Sequence, residues 1–167
     1  MPNELIHFTD ALHGSQAINV QQQVGDFIVA TKANAPAYQL AVVVDDARQG
    51  ITDVVRGDDL LRSTARQVLL YRTLQLGEPP RYTHLPLILG PDGHRLAKRH
   101  GDTRLLTYQQ RGVAPQRIIG LLAWWCGASK RREPMTASEF VNVFRLAQLP
   151  RYPMTFTEDD DAWLTRD

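Results

Sequence analysis

The 167-residue chain has a single cysteine, Cys126, so it can form neither an internal disulfide nor a cysteine zinc cage. Flanked by Trp124 and Trp125, that residue reads as a small buried hydrophobe. Long apolar runs are also missing. The longest uncharged apolar stretch, Ile118 to Gly127, falls well short of the roughly 20 residues a bilayer span requires. The opening Met1-Pro2-Asn3-Glu4 has neither the basic nor the apolar segment of a secretory signal, so a reducing cytoplasm is the expected location. Neither charge sign dominates, with 19 Lys plus Arg against 18 Asp plus Glu. A whole-molecule basic field is thereby excluded, while a local basic patch stays open. Repeats and low-complexity tracts are absent. A hydrophobic share of 43% and a charged share of 22% exclude disorder, collagen and coiled coil for the bulk of the chain. The length suits one ordinary domain, or one with a small appendage.

What is present is an α/β pattern. Residues 1–16 are polar and weakly patterned. Ile18, Val20, Gln22 and Val24 alternate as a half-buried strand would, with Phe27 to Ala30 as its expected antiparallel partner. Leu40-Ala41-Val42-Val43-Val44 is a continuous β-branched run that predicts a strand buried on both faces, ending at Asp45-Asp46. Gly57-Asp58-Asp59 opens a helix that carries Leu61, Ala65, Val68 and Leu69 at helical spacing and stops by Gly77. Leu85 to Leu89 predicts a second buried strand, closed by the turn Gly90-Pro91-Asp92-Gly93. Strand, helix and strand together predict a βαβ unit, whose ligands belong outside the carboxyl ends of its strands.

Beyond residue 105 the pattern is helical. Pro115 suits a first helical position, Thr136 to Glu139 suits a capping box, and the acidic stretch Glu158–Asp161 reads as a last helix or a frayed tail. Trp124 and Trp125 could stack bases, but helical spacing beside Ile118, Ile119, Leu121 and Leu122 favours core packing. Lys130-Arg131-Arg132 reads as a solvated run or as a contact to an RNA backbone.

The densest chemistry lies from Gly93 to Thr103. Arg95, Lys98, Arg99 and Arg104 fall within ten residues, between glycines at 93 and 101 that permit hinging. A cationic loop just past a strand suits a polyphosphate, because Lys and Arg neutralise charge that develops in phosphoryl or adenylyl transfer.

Taken in order, Tyr38 through Val44-Asp45-Asp46, Gln49-Gly50-Ile51-Thr52, Val54-Val55-Arg56-Gly57, His84-Leu85-Pro86-Leu87 and Arg95-Leu96-Ala97-Lys98-Arg99 resemble the second half of a glutamate-activating class I aminoacyl-tRNA synthetase. The resemblance runs from about Asp26 to Gly127. It implies the second half of a Rossmann-type nucleotide fold followed by a small helical, stem-contact-like region. The implied segments are 1–36 as a remnant of the insertion and strand pair, 37–104 as the second catalytic half, and 105–167 as the helical part. Only 69 residues follow Lys98, too few for an anticodon-binding region, which favours the short paralogue, the glutamyl-Q tRNA(Asp) synthetases.

The resemblance implies ATP, with its Mg²⁺, and glutamate as substrates, and glutamyl-adenylate as intermediate. The glutamyl group would then pass to tRNA, to queuosine of tRNA(Asp) in the paralogue. Tyr38 and Arg56 match the amino-acid-binding residues, and Arg56 has the bidentate geometry a carboxylate needs. Arg95, Leu96, Ala97, Lys98 and Arg99 match the ATP-binding signature loop, with Lys98 as its catalytic lysine. Arg95 stands where the family has lysine and Ala97 where it has serine, so a weakened loop is expected. Asp45 and Asp46 read as turn caps. The family's N-terminal His-Ile-Gly-His-type motif and its zinc-binding insertion are not found, and no metal site is expected.

Three readings remain open on the sequence. The chain is a portion of the enzyme that works with an N-terminal half supplied in trans, a non-catalytic RNA- or protein-binding module, or an inactive truncated fragment. Val42–Val44 and Leu87–Leu89, read as strands with too few partners, would leave an exposed sheet edge for self-association.

Overall fold

Residues 5–19, most of them in the weakly patterned segment 1–16, fold as a hairpin. Strands β1 (Leu5–Asp10) and β2 (Gly14–Asn19) pair antiparallel in register from Leu5↔Asn19 to Asp10↔Gly14. In this computed structural model residues 3–96 and 103–166 are described. The chain divides into two compact units, Met1–Leu85 and Pro86–Asp167.

In the first unit β1 continues into a sheet of order β2-β1-β4-β3, where β3 is Asp53–Gly57 and β4 is Arg81–Leu85. Strands β1, β4 and β3 are mutually parallel, and Arg56 lies opposite His84 in the β3–β4 register. A short 3₁₀ turn, Asp58–Leu60, leads from β3 into helix α3 (Leu61–Thr73). The helix presents Ala65, Val68 and Leu69 to Ile6, Ile18, Val20 and Tyr82, all buried. At roughly 1.5–3 kcal/mol per buried large aliphatic side chain, this cluster is a main source of the unit's stability.

Three readings of the sequence change here. The alternation at Ile18, Val20, Gln22 and Val24 is not one strand. Asn19 accepts the Gln22 N–H at 3.0 Å and caps helix α1 (Val20–Gln23). A spacing of four places Val20 and Val24 on one face of a helix as readily as of a strand, and both pack on the core. Phe27–Ala30 is not its partner strand: Ile28 is 72% exposed, and only Ala30 makes a bridge, to Pro36. The run Leu40–Val44 is not a strand either. It lies within helix α2 (Tyr38–Gln49), which ends at Gly50 in the left-handed conformation with φ 66°. Short apolar runs fit helix and strand alike, and the twelve residues before Gly50 suit a helix. Val43 is buried against Leu70 and Tyr71, with Val42 and Ala47 beside it.

The βαβ unit is present, but its first strand is Asp53–Gly57. Its second strand ends at Leu85, before Pro86, which has no N–H to donate to a ladder. In the second unit, Ile88–Leu89 forms β5, paired parallel with β6 (Met154–Thr155). Ile88 packs against the core of that unit. Val42–Val44 is helical, and Ile88–Leu89 pairs with β6 on one side and meets Arg95 on the other, so neither run is the unpaired sheet edge expected from the sequence.

The helices of the second unit follow their cap signals. α4 is Leu105–Gln110, and α5 (Pro115–Trp125) carries Pro115 in its first turn. Thr136 and Glu139 form a capping box at α6 (Ala137–Val143), and Thr157 and Asp160 form another at α7 (Glu158–Thr165). Tyr108, Leu121, Phe156 and Leu164 make the core, with Trp124, Trp125 and Trp163 packed on it. No helix among the described residues is long and apolar enough to cross a membrane.

Candidate functional site

The carboxyl ends of the three parallel strands converge on one polar cluster in the first unit. Asp10 is the last residue of β1, His84 the penultimate residue of β4 and Arg56 the penultimate residue of β3. Open α/β sheets bind ligands at this end. The sequence reading located the right end of a sheet but the wrong strand.

Asp10 and His84 are almost completely buried, at 1% and 0% exposure. Asp10 accepts four hydrogen bonds: from the Leu12 and His13 backbone N–H on Oδ1 at 3.0 and 2.8 Å, and from the His84 backbone N–H and ring Nδ1 on Oδ2 at 3.0 and 2.7 Å. Burial alone would raise its pKa, but the bonds from His13, His84 and Leu12 outweigh this and hold Asp10 below the usual carboxylate range. Burial drives the His84 pKa down, against the pull of Asp10, which favours the neutral ring.

Arg56 settles which nitrogen carries the proton. Its Nε–H lies 3.0 Å from His84 Nε2, and a guanidinium only donates. His84 Nε2 is therefore the acceptor, and Nδ1 carries the hydrogen toward Asp10. Arg56 Nη2 donates to Thr64 Oγ1 at 2.7 Å. Thr64, fully buried on α3, sits 3.2 Å from the same His84 nitrogen. The Arg56 guanidinium also lies over the Tyr82 ring, 5.4 Å from its centroid, and Tyr82 stacks with His84 at 6.2 Å. Burial keeps the Tyr82 phenol neutral by raising its pKa well above the ordinary value.

Tyr38 and Arg56, expected together from the sequence, are brought together. Burial lowers the Arg56 pKa, opposed by Tyr82, by Asp46 and by Tyr38, whose phenol is within side-chain hydrogen-bonding reach. Tyr38 is 56% exposed, so this side of the cluster opens to solvent. Asp46, read from the sequence as a turn cap, lies inside α2. Burial raises its pKa, Asp45 adds to the rise, and Arg56 opposes it.

The signature-loop residues belong to the second unit. A turn closed by Gly93 N–H to the Gly90 carbonyl, with φ 75° at Gly93, brings Arg95 back beside Leu89. The Leu96 N–H donates to the Ile88 carbonyl at 2.9 Å, and its side chain packs on the core, so Leu96 anchors the start of the loop. Ala97, Lys98 and Arg99 lie outside the described residues. Beside the loop flanks, a cavity of about 660 Å³ is lined by Asp92, Thr103, Arg111, Glu158 and Asp161 among others. Its excess of carboxylates is the wrong sign for a phosphate.

Of the basic run, Arg131 pairs with Glu133 at 3.0 Å, and Arg132 lies 3.3 Å from Asp160 and over the Trp124 ring. Cys126 is partly buried, which raises its thiol pKa. Among the described residues no cluster of three or more His, Cys, Asp or Glu is placed to hold a metal.

Sequence reasoning did not single out Asp10, Thr64 or the role of His84. The sole signal was His84 inside the His-Leu-Pro-Leu stretch. Its partner lies 74 residues away, on a strand the composition did not reveal.

Known proteins resemble this chain over nearly its whole length. Glutamyl-Q tRNA(Asp) synthetase of Symbiobacterium thermophilum is 46% identical over 166 residues, covering 99% of this chain and 50% of that protein. Glutamate–tRNA ligase 1 of Helicobacter pylori (strain HPAG1) is 36% identical over 97% of this chain and 35% of its own length. The crystal structure of a glutamate tRNA ligase from Elizabethkingia meningosepticum, in complex with its amino acid, superposes with a TM-score of 0.79 at 27% identity. That match covers 98% of this chain and 36% of the other. The chain thus spans half or less of the length of these relatives. Residues 1–162 match the family of class I tRNA synthetases (E and Q), catalytic domain, and the chain belongs to that family.

Proposed function

We propose that the chain is a portion of a glutamate-activating synthetase in which Arg56 and Tyr38 hold the amino acid and the loop through Lys98 holds ATP. The observation that carries this reading is the state of Arg56. Its guanidinium is half-buried at the carboxyl end of the sheet, tied to His84 and Thr64 on one side and open beside Tyr38 on the other. A partly desolvated, oriented guanidinium is a carboxylate receptor.

In the reaction, a glutamate carboxylate oxygen attacks the α-phosphorus of ATP. An O–P bond forms, pyrophosphate leaves with the electron pair of the broken bond, and glutamyl-adenylate results. An acceptor hydroxyl then attacks the glutamyl carbonyl and displaces AMP. Arg56 orients the amino acid for the first step, and Tyr38 borders it. Lys98 supplies positive charge to the phosphates as charge builds on them. Mg²⁺ would arrive with the nucleotide and add positive charge at its phosphates. The higher identity to the glutamyl-Q enzyme supports queuosine of tRNA(Asp) as acceptor. The engagement of Arg131 and Arg132 with carboxylates speaks against a free basic patch and so against a simple RNA-binding module.

The test is a chimera in which this chain replaces the matching segment of the Symbiobacterium relative, assayed for glutamate-dependent ATP–pyrophosphate exchange. Exchange is expected, falling by orders of magnitude with Arg56→Ala or Lys98→Ala. A folded chimera without exchange, or one indifferent to Arg56→Ala, would sink the proposal.

A further inference from the structure

We propose that Asp10 and His84 are positioning residues that aim Arg56, so that its end-on pair of N–H groups meets the ligand carboxylate. The inference rests on the reading of Arg56 as the carboxylate receptor and adds how that receptor is built.

A guanidinium offers five N–H donors on distinct faces. The Nε face of Arg56 is consumed by the protein. His84 Nε2 takes the Nε–H at 3.0 Å, and Thr64 Oγ1 takes an Nη2–H at 2.7 Å. These two acceptors lie 3.2 Å apart and occupy the places a bidentate carboxylate would take on that face. Three N–H groups remain, two on Nη1 and one on Nη2, and one from each nitrogen makes the end-on fork. That fork is left to Tyr38 and an incoming ligand.

The arrangement works only if His84 accepts at Nε2, which requires the Nδ1–H tautomer. Asp10 enforces it from behind. Its Oδ2 takes the Nδ1–H at 2.7 Å while the Leu12, His13 and His84 backbone N–H groups hold the carboxylate in place. The other tautomer would set His84 Nε2–H against Arg56 Nε–H, donor to donor. An imidazolium would do the same and add a like charge. The order Asp10, His84, Arg56 runs across the three parallel strands β1, β4 and β3 in turn, so the sheet register itself fixes the spacing. Simple structural packing of a buried His–Asp pair would not require Arg56 at all. That difference makes the proposal testable.

Long-range ¹H–¹⁵N correlation on the full wild-type chain reads the His84 tautomer directly and needs no variant. The Nδ1–H form is expected; an Nε2–H form or an imidazolium at pH 7 overturns the proposal. Two variants then separate positioning from packing. His84→Gln keeps an acceptor near the Nε2 position facing Arg56. His84→Asn keeps a donor near Nδ1 facing Asp10 and loses the acceptor. The Arg56 Nε–H resonance should stay protected from solvent exchange in His84→Gln and lose about 10- to 100-fold of that protection in His84→Asn, the worth of one charge-assisted hydrogen bond. The reverse order, or equal protection in both, overturns the proposal. L-glutamate is then titrated into the wild type. If the tautomer and protection results hold but glutamate leaves the Arg56 resonances unmoved, the positioning device stands and the glutamate reading falls.

Discussion

Gly120 offers a sharp test of the second unit, because two effects of known size oppose each other there. It sits in the buried middle of α5. On helix propensity alone, Gly120→Ala should stabilise the protein by about 1 kcal/mol. In the folded chain, however, the added Cβ would lie 1.9 Å from the Glu133 carbonyl oxygen, 2.8 Å from its carbon and 3.3 Å from Pro134 Cα. All three are backbone atoms, so no rotamer change relieves the clash. The segment is also stiff. Pro134 restricts the residue before it, and Met135 N–H is tied to the Gln116 carbonyl at 2.9 Å. The carbonyl must retreat by about 1 Å, an overpacking cost at the upper end of roughly 1–3 kcal/mol. Strain on the Met135 hydrogen bond adds about 1 kcal/mol. After the propensity gain, a net loss of about 2–3 kcal/mol is expected. For a unit of this size that corresponds to a fall in Tm of about 10–20 °C. The three tryptophans, Trp124, Trp125 and Trp163, all belong to this unit, so intrinsic fluorescence follows its melting alone. A Gly120→Ala protein that melts at or above the wild-type temperature would refute the close approach of α5 to residues 133–134.

Three further outcomes are expected. Because His84 is held neutral and Asp10 ionised, the unfolded first unit binds more protons than the folded one in acid. Its stability should fall as pH drops below about 6.5, and fall further below about 4; urea midpoints by far-UV circular dichroism that stay flat or rise from pH 7 to pH 5 would contradict this. Gly50→Ala, at φ 66° with open space around the added methyl, should cost about 1 kcal/mol through backbone strain, and a neutral urea midpoint would show that the end of α2 is not held in that conformation. In the chimera, Tyr38→Phe should raise the KM for glutamate several-fold with little change in kcat for pyrophosphate exchange; a loss confined to kcat would place Tyr38 away from the amino acid.

Much of the second unit was legible because its helix boundaries carry local chemistry. Pro115 and the Thr136–Glu139 pair mark starts that no tertiary contact needs to arbitrate. The first unit was harder. Val42 to Val44 favour a strand by propensity, yet burial of Val43 against Leu70 and Tyr71 decides for a helix. Strand β3 is five residues long with only Val54 and Val55 apolar, and β1 shows little alternation, so neither stood out. Arg56 and Tyr38 could be found because they sit inside an ordered series of short motifs. Asp10 could not, since its meaning lies in a parallel register that joins it to His84, 74 residues on.

The most direct measurement is a crystal structure of the chimera with L-glutamate and a non-hydrolysable ATP analogue. A glutamate carboxylate about 2.8 Å from the Arg56 Nη atoms, beside Tyr38, with Nε still on His84, is the expected result. Glutamate bound elsewhere, with Arg56 untouched by any carboxylate, would contradict it.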